Sequence, residues 1–303
     1  MSIIKNNKHY GTRVILLGEP PVPPSGYFYV EDVSGSDNTL SIVKSDFGAP
    51  TIEVFKSTDT VNWTSMGTTD TNITTTIPAN SKLYLKAIEN VWAYDYSNRN
   101  YITASGNFNV GGNIMSLLNG DNFENTNFGN IEKQFARLFS GSSTLISASN
   151  LLLPNNVTEF CYDGMFYDCS ALTTAPALPA TTLAQNCYSG MFNGCSSLTQ
   201  APELTATTLA NFCYNSMFSG CTSLTEAPVL PATTSQPYCC ENMFNGCSNL
   251  RKVVTYFTDI STPRISGWLN NVSATGDFYN LGGATYESGG SGIPTGWTEH
   301  TSL

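Results

Sequence analysis

The sequence has little charge, almost no histidine and no long apolar run. Lys, Arg, Asp and Glu make up 12% of its 303 residues, whereas Thr, Ser, Asn and Gly are abundant. This composition suits short strands and turns better than long helices. A chain of 303 residues also exceeds what one compact core usually holds, so we expect about two or three structural units.

These shortages exclude several classes of function. The formal net charge is −10, and an acidic surface repels phosphate, so we expect no nucleic-acid partner. His9 and His300 are the two histidines and lie near the chain ends, so no Ser–His or Cys–His catalytic pair is expected. Without a run of about 18 apolar residues we expect no membrane insertion. We also expect no cofactor, because no Gly-rich phosphate loop is present, and no zinc site, because no compact Cys-x-x-Cys pair occurs.

The first 25 residues end in a proline-rich run, Glu19 to Pro24. Such a run stays extended and acts as a semi-rigid spacer. The longest apolar run before it, Val14 to Leu17, is much shorter than the about 7–15 residues of a secretion signal. We therefore predict that residues 1–25 form an extended N-terminal anchor and that no cleaved signal exports the protein.

Residues 26–112 alternate short apolar segments with turn residues, a pattern typical of a β-sandwich-like domain. Trp63 and Trp92 are predicted to anchor its core, with platforms for a sugar ring as the alternative. Residues 113–131 form a connector in which Asp121 and Glu124 are candidate calcium ligands, although the incomplete ligand alternation favours a polar surface loop. The predicted strands are Tyr27 to Val30, Thr51 to Phe55, Asn72 to Ile77, Lys82 to Lys86 and Asn107 to Val110.

Residues 132–260 carry repeats with a step of 26 residues. The segment Cys161 to Phe166 recurs three times, at residues 187, 213 and 239, and a Cys-x-x-Leu segment follows each copy in phase. One unit cannot bury its Cys, Met, Phe, Leu and Ala residues alone, whereas stacked units bury them continuously. The Ala-Pro segments predict a short strand and a turn. Apolar spacing from Leu183 to Phe192 predicts a short helical turn, and residues 261–303 are a predicted C-terminal cap.

Eight of the nine cysteines fall into two ladders with the 26-residue step. Strand spacing places ladder neighbours roughly 4.8 Å apart, whereas a relaxed disulfide needs about 3.5–4.5 Å between Cβ atoms. The ninth, Cys240, occupies a slot where three other units have Tyr. We therefore predict reduced cysteines that pack as small apolar side chains.

The repeat Cys-Tyr-x-x-Met-Phe-x-Gly-Cys-x-Ser-Leu-Thr-x-Ala-Pro-x-Leu, from Cys161 to Leu250, resembles the BspA-type leucine-rich repeat family. The segments Gly112 to Leu118 and Gly292 to Thr298 also resemble parts of such proteins. This family is plentiful in surface proteins of gut Bacteroidales and in their crAss-like phages. The resemblance implies a surface-recognition role and a mainly β fold: a β-sandwich-like domain followed by a leucine-rich-repeat solenoid with short helical turns. It implies no catalytic residues.

Two functions fit these features best. The first is a non-enzymatic phage virion surface protein, such as a head fibre, decoration or tail-fibre component, that is assembled in the host cytoplasm. It would bind other virion proteins through residues 1–25 and a host-surface glycan or protein through its repeats; homo-oligomerisation stays open. The alternative is a bacterial cell-surface adhesin, which the expected lack of a signal disfavours. A carbohydrate-active enzyme is the weaker alternative, because the separation of paired carboxylates is a three-dimensional quantity.

Two columns of residues next to the repeat strands are the candidate ligand face. Stacking fixes the inward slots, so the outward slots are free to carry specificity, although solvent exposure alone also permits such variation. Tyr162, Tyr188 and Tyr214 are secondary candidates, with packing as the open alternative. The first column is Thr174, Gln200, Glu226 and Lys252, and the second is Thr173, Thr199, Thr225 and Arg251.

Overall fold

The computed structural model describes residues 26–45, 48–87, 91–94, 97–123, 128, 131–260 and 264–303. The predicted anchor, residues 1–25, lies outside the described residues, as does Glu124. The described chain is mainly β and contains several sheets. Its helical part is one short α-helix, α1, Ser116–Asn119, and a 3-10 turn, Gly120–Asn122.

Twelve strands are found in the described part of the chain. Each of the five predicted strands is present, with bounds shifted by at most three residues. The strands are β1 Tyr29–Asp32, β2 Asn38–Lys44, β3 Glu53–Ser57, β4 Thr64–Thr68, β5 Ile73–Ile77, β6 Lys82–Ala87, β7 Asn100–Ala104, β8 Phe108–Asn113, β9 Leu145–Leu152, β10 Lys252–Thr255, β11 Gly276–Asn280 and β12 Trp297–His300.

Strands β1 to β9 form two sheets that share one core. The first sheet has the order β4-β3-β6-β1-β8-β9 and the second has the order β5-β2-β7. Alternation along each strand turns Val30 and Leu85 of the first sheet and Leu40 of the second into the same hydrophobic cluster. Trp92 is fully buried there, as predicted. The core prediction for Trp63 is wrong, because its side chain is half-exposed.

The repeats continue the first sheet. A degenerate first repeat unit, which begins near Leu138, precedes the copy at Cys161 and contains β9. Strand β9 pairs in parallel with β8, so that Gly111 lies opposite Asn150. The ring of Phe28 also stacks on Phe139, with 6.2 Å between the ring centroids, and Phe139 stacks on Phe166 at 5.4 Å. The N-terminal sheet therefore covers the apolar end of the first unit.

Each repeat unit lies on the next in register. Parallel bridges join Leu178 to Leu204 and Thr182 to Thr208. The rings of Phe166, Phe192, Phe218 and Phe244 stack at centroid distances of 5.5, 5.5 and 5.6 Å, within 10° of parallel. Identical side chains therefore contact each other along the stack, as the 26-residue period predicts.

All nine cysteines are buried and unpaired, which confirms their predicted packing. The thiols also donate hydrogen bonds to the backbone. The Sγ of Cys195 donates to the carbonyl oxygen of Phe166 at 3.1 Å, and the Sγ of Cys221 donates to that of Phe192 at the same distance. A thiol thus fills a small apolar slot and satisfies a buried carbonyl of the preceding unit.

The helical turn predicted for Leu183 to Phe192 is wrong. Asn186 and Gly190 have φ angles of 54° and 56°, in the left-handed region, and these interrupt a right-handed helix after each turn. Backbone amides alternate between two kinds of acceptor. Ser189 N–H bonds within its unit to Asn186, whereas Tyr188 N–H bonds to the Cys213 carbonyl of the next unit at 3.1 Å. The segment is a run of turns whose amides join neighbouring units.

The parallel pairing continues towards the C-terminus. In the sheet β10-β11-β12, Lys252 lies opposite Asp277, which in turn lies opposite Thr298. The ring of Trp268 stacks on Tyr286 at 5.9 Å, beyond the last recognisable repeat. The stacked arrangement therefore extends past residue 260, where the sequence period is no longer visible.

Candidate functional site

The two predicted columns lie on the outside of the stack. Seven of their eight residues are exposed and Lys252 is half-exposed. The leucines that precede them, such as Leu198 and Leu224, are fully buried, and they fix which way the following side chains point. The predicted outward placement is confirmed, and the role of the columns in binding stays a prediction.

Backbone pairing holds the first column in line. Parallel bridges join Ser147 to Thr174, Thr174 to Gln200 and Glu226 to Lys252. The Nζ of Lys252 lies 3.1 Å from the Oε2 of Glu226, and both side chains are more than one-third exposed. Such an ion pair stabilises the fold by less than about 1 kcal/mol, but it cancels charge on the column. The ligand face is therefore polar with little net charge at this step.

A groove of about 330 Å³ lies beside the first column, between the Ala-Pro segments of two units. Its floor includes Pro202 and Pro228, its rim includes Gln200 and Glu226, and Val229 is 46% exposed there. Apolar surface next to a few polar groups is typical of small-ligand sites of about this size. The groove gives the polar columns an apolar neighbour.

Sequence reasoning missed a third variable column, of which Glu203 and Val229 line this groove. Ala177, Glu203 and Val229 occupy the variable position of the Ala-Pro-x-Leu motif, and all three are exposed. The signal was visible as the one changing residue in a constant motif. The Ala-Thr-Thr segments also carry pairs of exposed threonines, which are Thr181, Thr182, Thr207, Thr208, Thr233 and Thr234.

The secondary candidates Tyr162, Tyr188 and Tyr214 are not on a ligand face. Their exposures are 0%, 1% and 2%. Their rings stack on one another at 5.8 and 6.3 Å, and burial raises the pKa of each hydroxyl. The interpretation of these residues as ligand contacts is wrong, because the period places them inside the stack with the cysteines.

The candidate calcium ligand Asp121 contacts cationic and hydroxyl donors instead. Its Oδ1 accepts hydrogen bonds from Tyr27 Oη and Lys86 Nζ, each at 2.6 Å. Both hydrogen bonds lower the pKa of the Asp121 carboxyl, and the bond from Lys86 has the larger effect. Within the described ranges, no three His, Cys, Asp or Glu side chains meet as a metal site. No helix among those residues has the length and apolar character to cross a membrane.

Comparison of the chain with protein-family models, with curated proteins and with solved structures found no match. The resemblance to the BspA-type family thus stays a prediction from the repeat motif. A function for this chain therefore has to be argued from the geometry of its own residues.

Proposed function

We propose that the chain is a non-enzymatic phage virion surface protein that displays a rigid repeat face to a glycan on the host surface. In this proposal the 26-residue units form a leucine-rich-repeat solenoid behind a β-sandwich-like domain. Residues 1–25 dock onto other virion proteins. The observation that carries the proposal is the pair of exposed columns from Thr173 and Thr174 to Arg251 and Lys252, which vary between units while the buried Met, Phe and Leu slots of the stack stay constant.

The chemistry of the columns supports a glycan ligand. Hydroxyl, amide and carboxylate groups lie side by side on a backbone that hydrogen bonds hold in place. Glycans present hydroxyl groups at regular intervals. A face whose polar side chains also recur at regular intervals can therefore bind several sugar units in the same way. The apolar groove beside Gln200 offers surface for the C–H face of a sugar ring.

The cysteines support assembly in a reducing compartment. Nine buried thiols without a disulfide suit a protein that folds in a cytoplasm, where thiols stay reduced. A phage protein folds there before the particle leaves the cell. A bacterial adhesin would carry the same thiols across a membrane into more oxidising surroundings.

The test of the ligand face is a triple variant of the full chain, Gln200→Ala, Glu226→Ala and Lys252→Ala. These outward positions cost little stability, within about 0.5 kcal/mol each. Binding of the labelled protein to whole Bacteroidales cells should fall at least tenfold with an unchanged melting temperature. The matched control replaces exposed residues of the same units outside the columns: Ser170, Asn211 and Ser248, each by Ala.

Unchanged binding by the triple variant would remove the columns from the site, and an equal loss in the control would show that the effect is unspecific. The virion assignment has its own measurement. Antibodies against the chain should label intact phage particles in electron micrographs. Labelling of bacterial cells without phage would instead favour the adhesin.

A further inference from the structure

A second concave surface lies on the outer face of the first sheet. It has a volume of about 580 Å³, and tyrosines 27, 29 and 84 line it. The strands bury Phe28, Val30 and Leu83 on their inner face, so alternation turns the neighbouring tyrosines outward. The outer face of an antiparallel sheet is usually polar. Three tyrosines around one cleft therefore need an explanation other than the core.

A glycine makes room for one of the tyrosines of this cleft. Gly111 lies between Tyr29 on β1 and Asn150 on β9. A Cβ atom on Gly111 would lie 2.3 Å from the hydroxyl oxygen of Tyr29 and 2.9 Å from the Cβ of Asn150. The missing side chain lets the Tyr29 ring lie across the sheet, with the Asn150 amide on the other side of the depression. Tyr29, Tyr84 and Asn150 of the lining thus come from paired strands, whereas Thr60, Asp121 and Phe123 come from the segments around them.

The charges around the cleft are balanced. Lys86 Nζ lies 2.6 Å from Asp121 Oδ1, and Lys82 Nζ lies 3.8 Å from Glu31 Oε1. Each ammonium group thus has a carboxylate partner, and the bond from Tyr27 adds a neutral donor to Asp121. Fixed charges that cancel favour an uncharged ligand over an anionic one.

Aromatic faces accompany these polar groups. The ring of Trp63, wrongly predicted for the core, lies 4.6 Å from that of Tyr27 and 4.3 Å from the Lys86 ammonium. Tyr84 meets Tyr29 edge-on at 5.9 Å and is half-exposed. Rings with one polar end suit a ligand that is apolar on one side and hydroxylated on the other.

The cleft lies on the same face as the repeat columns. Pairing runs from Lys82 to Glu31, to Asn109 and to Ser147. Ser147 then bridges Thr174, the first residue of the first column. One continuous surface therefore leads from the aromatic cleft to the polar columns.

We propose that this cleft is a second saccharide site, which binds about one or two rings of a neutral glycan, a size that fits its volume. Aromatic rings contact the C–H face of the sugar, while the Asn150 amide and the exposed Asp121 carboxylate bond its hydroxyl groups. The proposal shares with the proposed function the idea of a glycan ligand. It does not depend on the repeat columns or on a virion.

The test is a titration of the full chain with the neutral disaccharides cellobiose, lactose and mannobiose and with the acidic 3′-sialyllactose. The ring of Trp63 contacts that of Tyr27 in the cleft, so its fluorescence should respond to the ligand, whereas the buried Trp92, Trp268 and Trp297 are shielded from it. At least one neutral disaccharide should bind with a Kd on the order of 1 mM. Tyr84→Ala should weaken that binding at least tenfold.

Asn150→Ala keeps the test valid if Tyr84→Ala unfolds the sheet, since Asn150 is exposed. It should weaken binding at least threefold. Val61→Ser is the matched control, because Val61 is 77% exposed on the neighbouring β3–β4 hairpin and does not line the cleft. It should bind as the unchanged protein does.

Three results would overturn the proposal. These are no binding of any neutral disaccharide, equal binding by Asn150→Ala, and tighter binding of 3′-sialyllactose than of lactose. The triple variant of the repeat columns separates this site from the proposed function. It should keep disaccharide binding in the cleft while it loses attachment to cells.

Discussion

The N-terminal sheets and the repeat stack bury similar apolar side chains through different kinds of neighbours. In the sheets the pairing follows no repeat, so that Leu40 lies opposite Thr75 on one side and Ala104 on the other. In the stack Phe192 meets Phe166 and Phe218, copies of itself. Strand alternation therefore decides what is buried in the first region, and the 26-residue period decides it in the second.

The two regions also satisfy polar groups differently. In the sheets a side chain organises a loop: the buried carboxylate of Asp32 accepts hydrogen bonds from the backbone amides of Ser34, Gly35 and Asn80. In the stack, backbone amides bond to the next unit and thiols bond to the preceding one. Units that share bonds in this way depend on their neighbours for stability. Damage should spread along the stack and stay local in the sheets.

Alkaline pH should destabilise the repeat stack much more than the N-terminal sheets, and this is the largest expected difference between them. Burial raises the pKa of seven thiols above the ordinary value of 9.0, to about 12 for Cys169 and Cys247. The hydrogen bond between Cys239 and Cys240 raises the pKa of Cys240, which burial raises further, and lowers the pKa of Cys239. A raised folded-state pKa contributes stability below pH 9 that is lost as the pH rises, because the unfolded thiols ionise first. At pH 10 each thiol with a raised pKa lowers the free energy of unfolding by about 1.4 kcal/mol.

Summed over the ladders, this cost is comparable to the whole stability of a domain, about 5–15 kcal/mol. The repeats should therefore unfold between pH 9 and 11. The N-terminal sheets contain no cysteine, so thiol ionisation does not destabilise them directly. The measurement is alkylation of each cysteine by iodoacetamide as a function of pH, followed by mass spectrometry. Full protection of Cys195 and Cys221 at pH 11 would contradict the prediction.

Removal of one buried aromatic ring should have the second largest effect and should distinguish the two regions. Phe192→Ala and Phe108→Ala each remove a fully buried ring, at a cost of about 3–5 kcal/mol. Phe192 lies between two stacked rings, so hydrogen exchange should quicken in its own unit and in both neighbours. For Phe108→Ala the increase should be largest in β1, β8 and β9. Phe192→Leu, as a milder control, should cost less than half as much as Phe192→Ala, and exchange changes confined to the mutated unit would contradict the coupling.

The sequence allowed prediction wherever one local rule decided the outcome. Alternation located the β segments around Val30 and Leu85, and the period placed the cysteines and leucines inside and Gln200 and Glu226 outside. Both rules use only the spacing of residue types. They need no knowledge of the partner segment.

Prediction failed where spacing fits two structures or where a distant partner decides. Apolar spacing of three to four residues fits a helix and also fits turns interrupted by left-handed residues such as Asn186 and Gly190. The position of Trp63 depends on Tyr27 and Lys86, which lie far away in sequence. The aromatic cleft was missed because Gly111 makes room for Tyr29 only through its pairing with β1 and β9.

The smallest expected effect concerns one hydroxyl group in each region. The ring of Tyr188 is held between Tyr162 and Tyr214, and its buried hydroxyl has no hydrogen-bond partner among the described residues. A buried hydroxyl without a partner destabilises the folded state, so Tyr188→Phe should leave stability unchanged or raise it by up to about 1 kcal/mol. In the sheets, Tyr27 Oη donates to Asp121, so Tyr27→Phe should lower stability by about 1 kcal/mol. Urea denaturation midpoints at pH 7 measure both. The same substitution thus acts with opposite sign in the two regions, and a loss of more than 1 kcal/mol in Tyr188→Phe would show that the stack, like the sheets, satisfies its tyrosine hydroxyls.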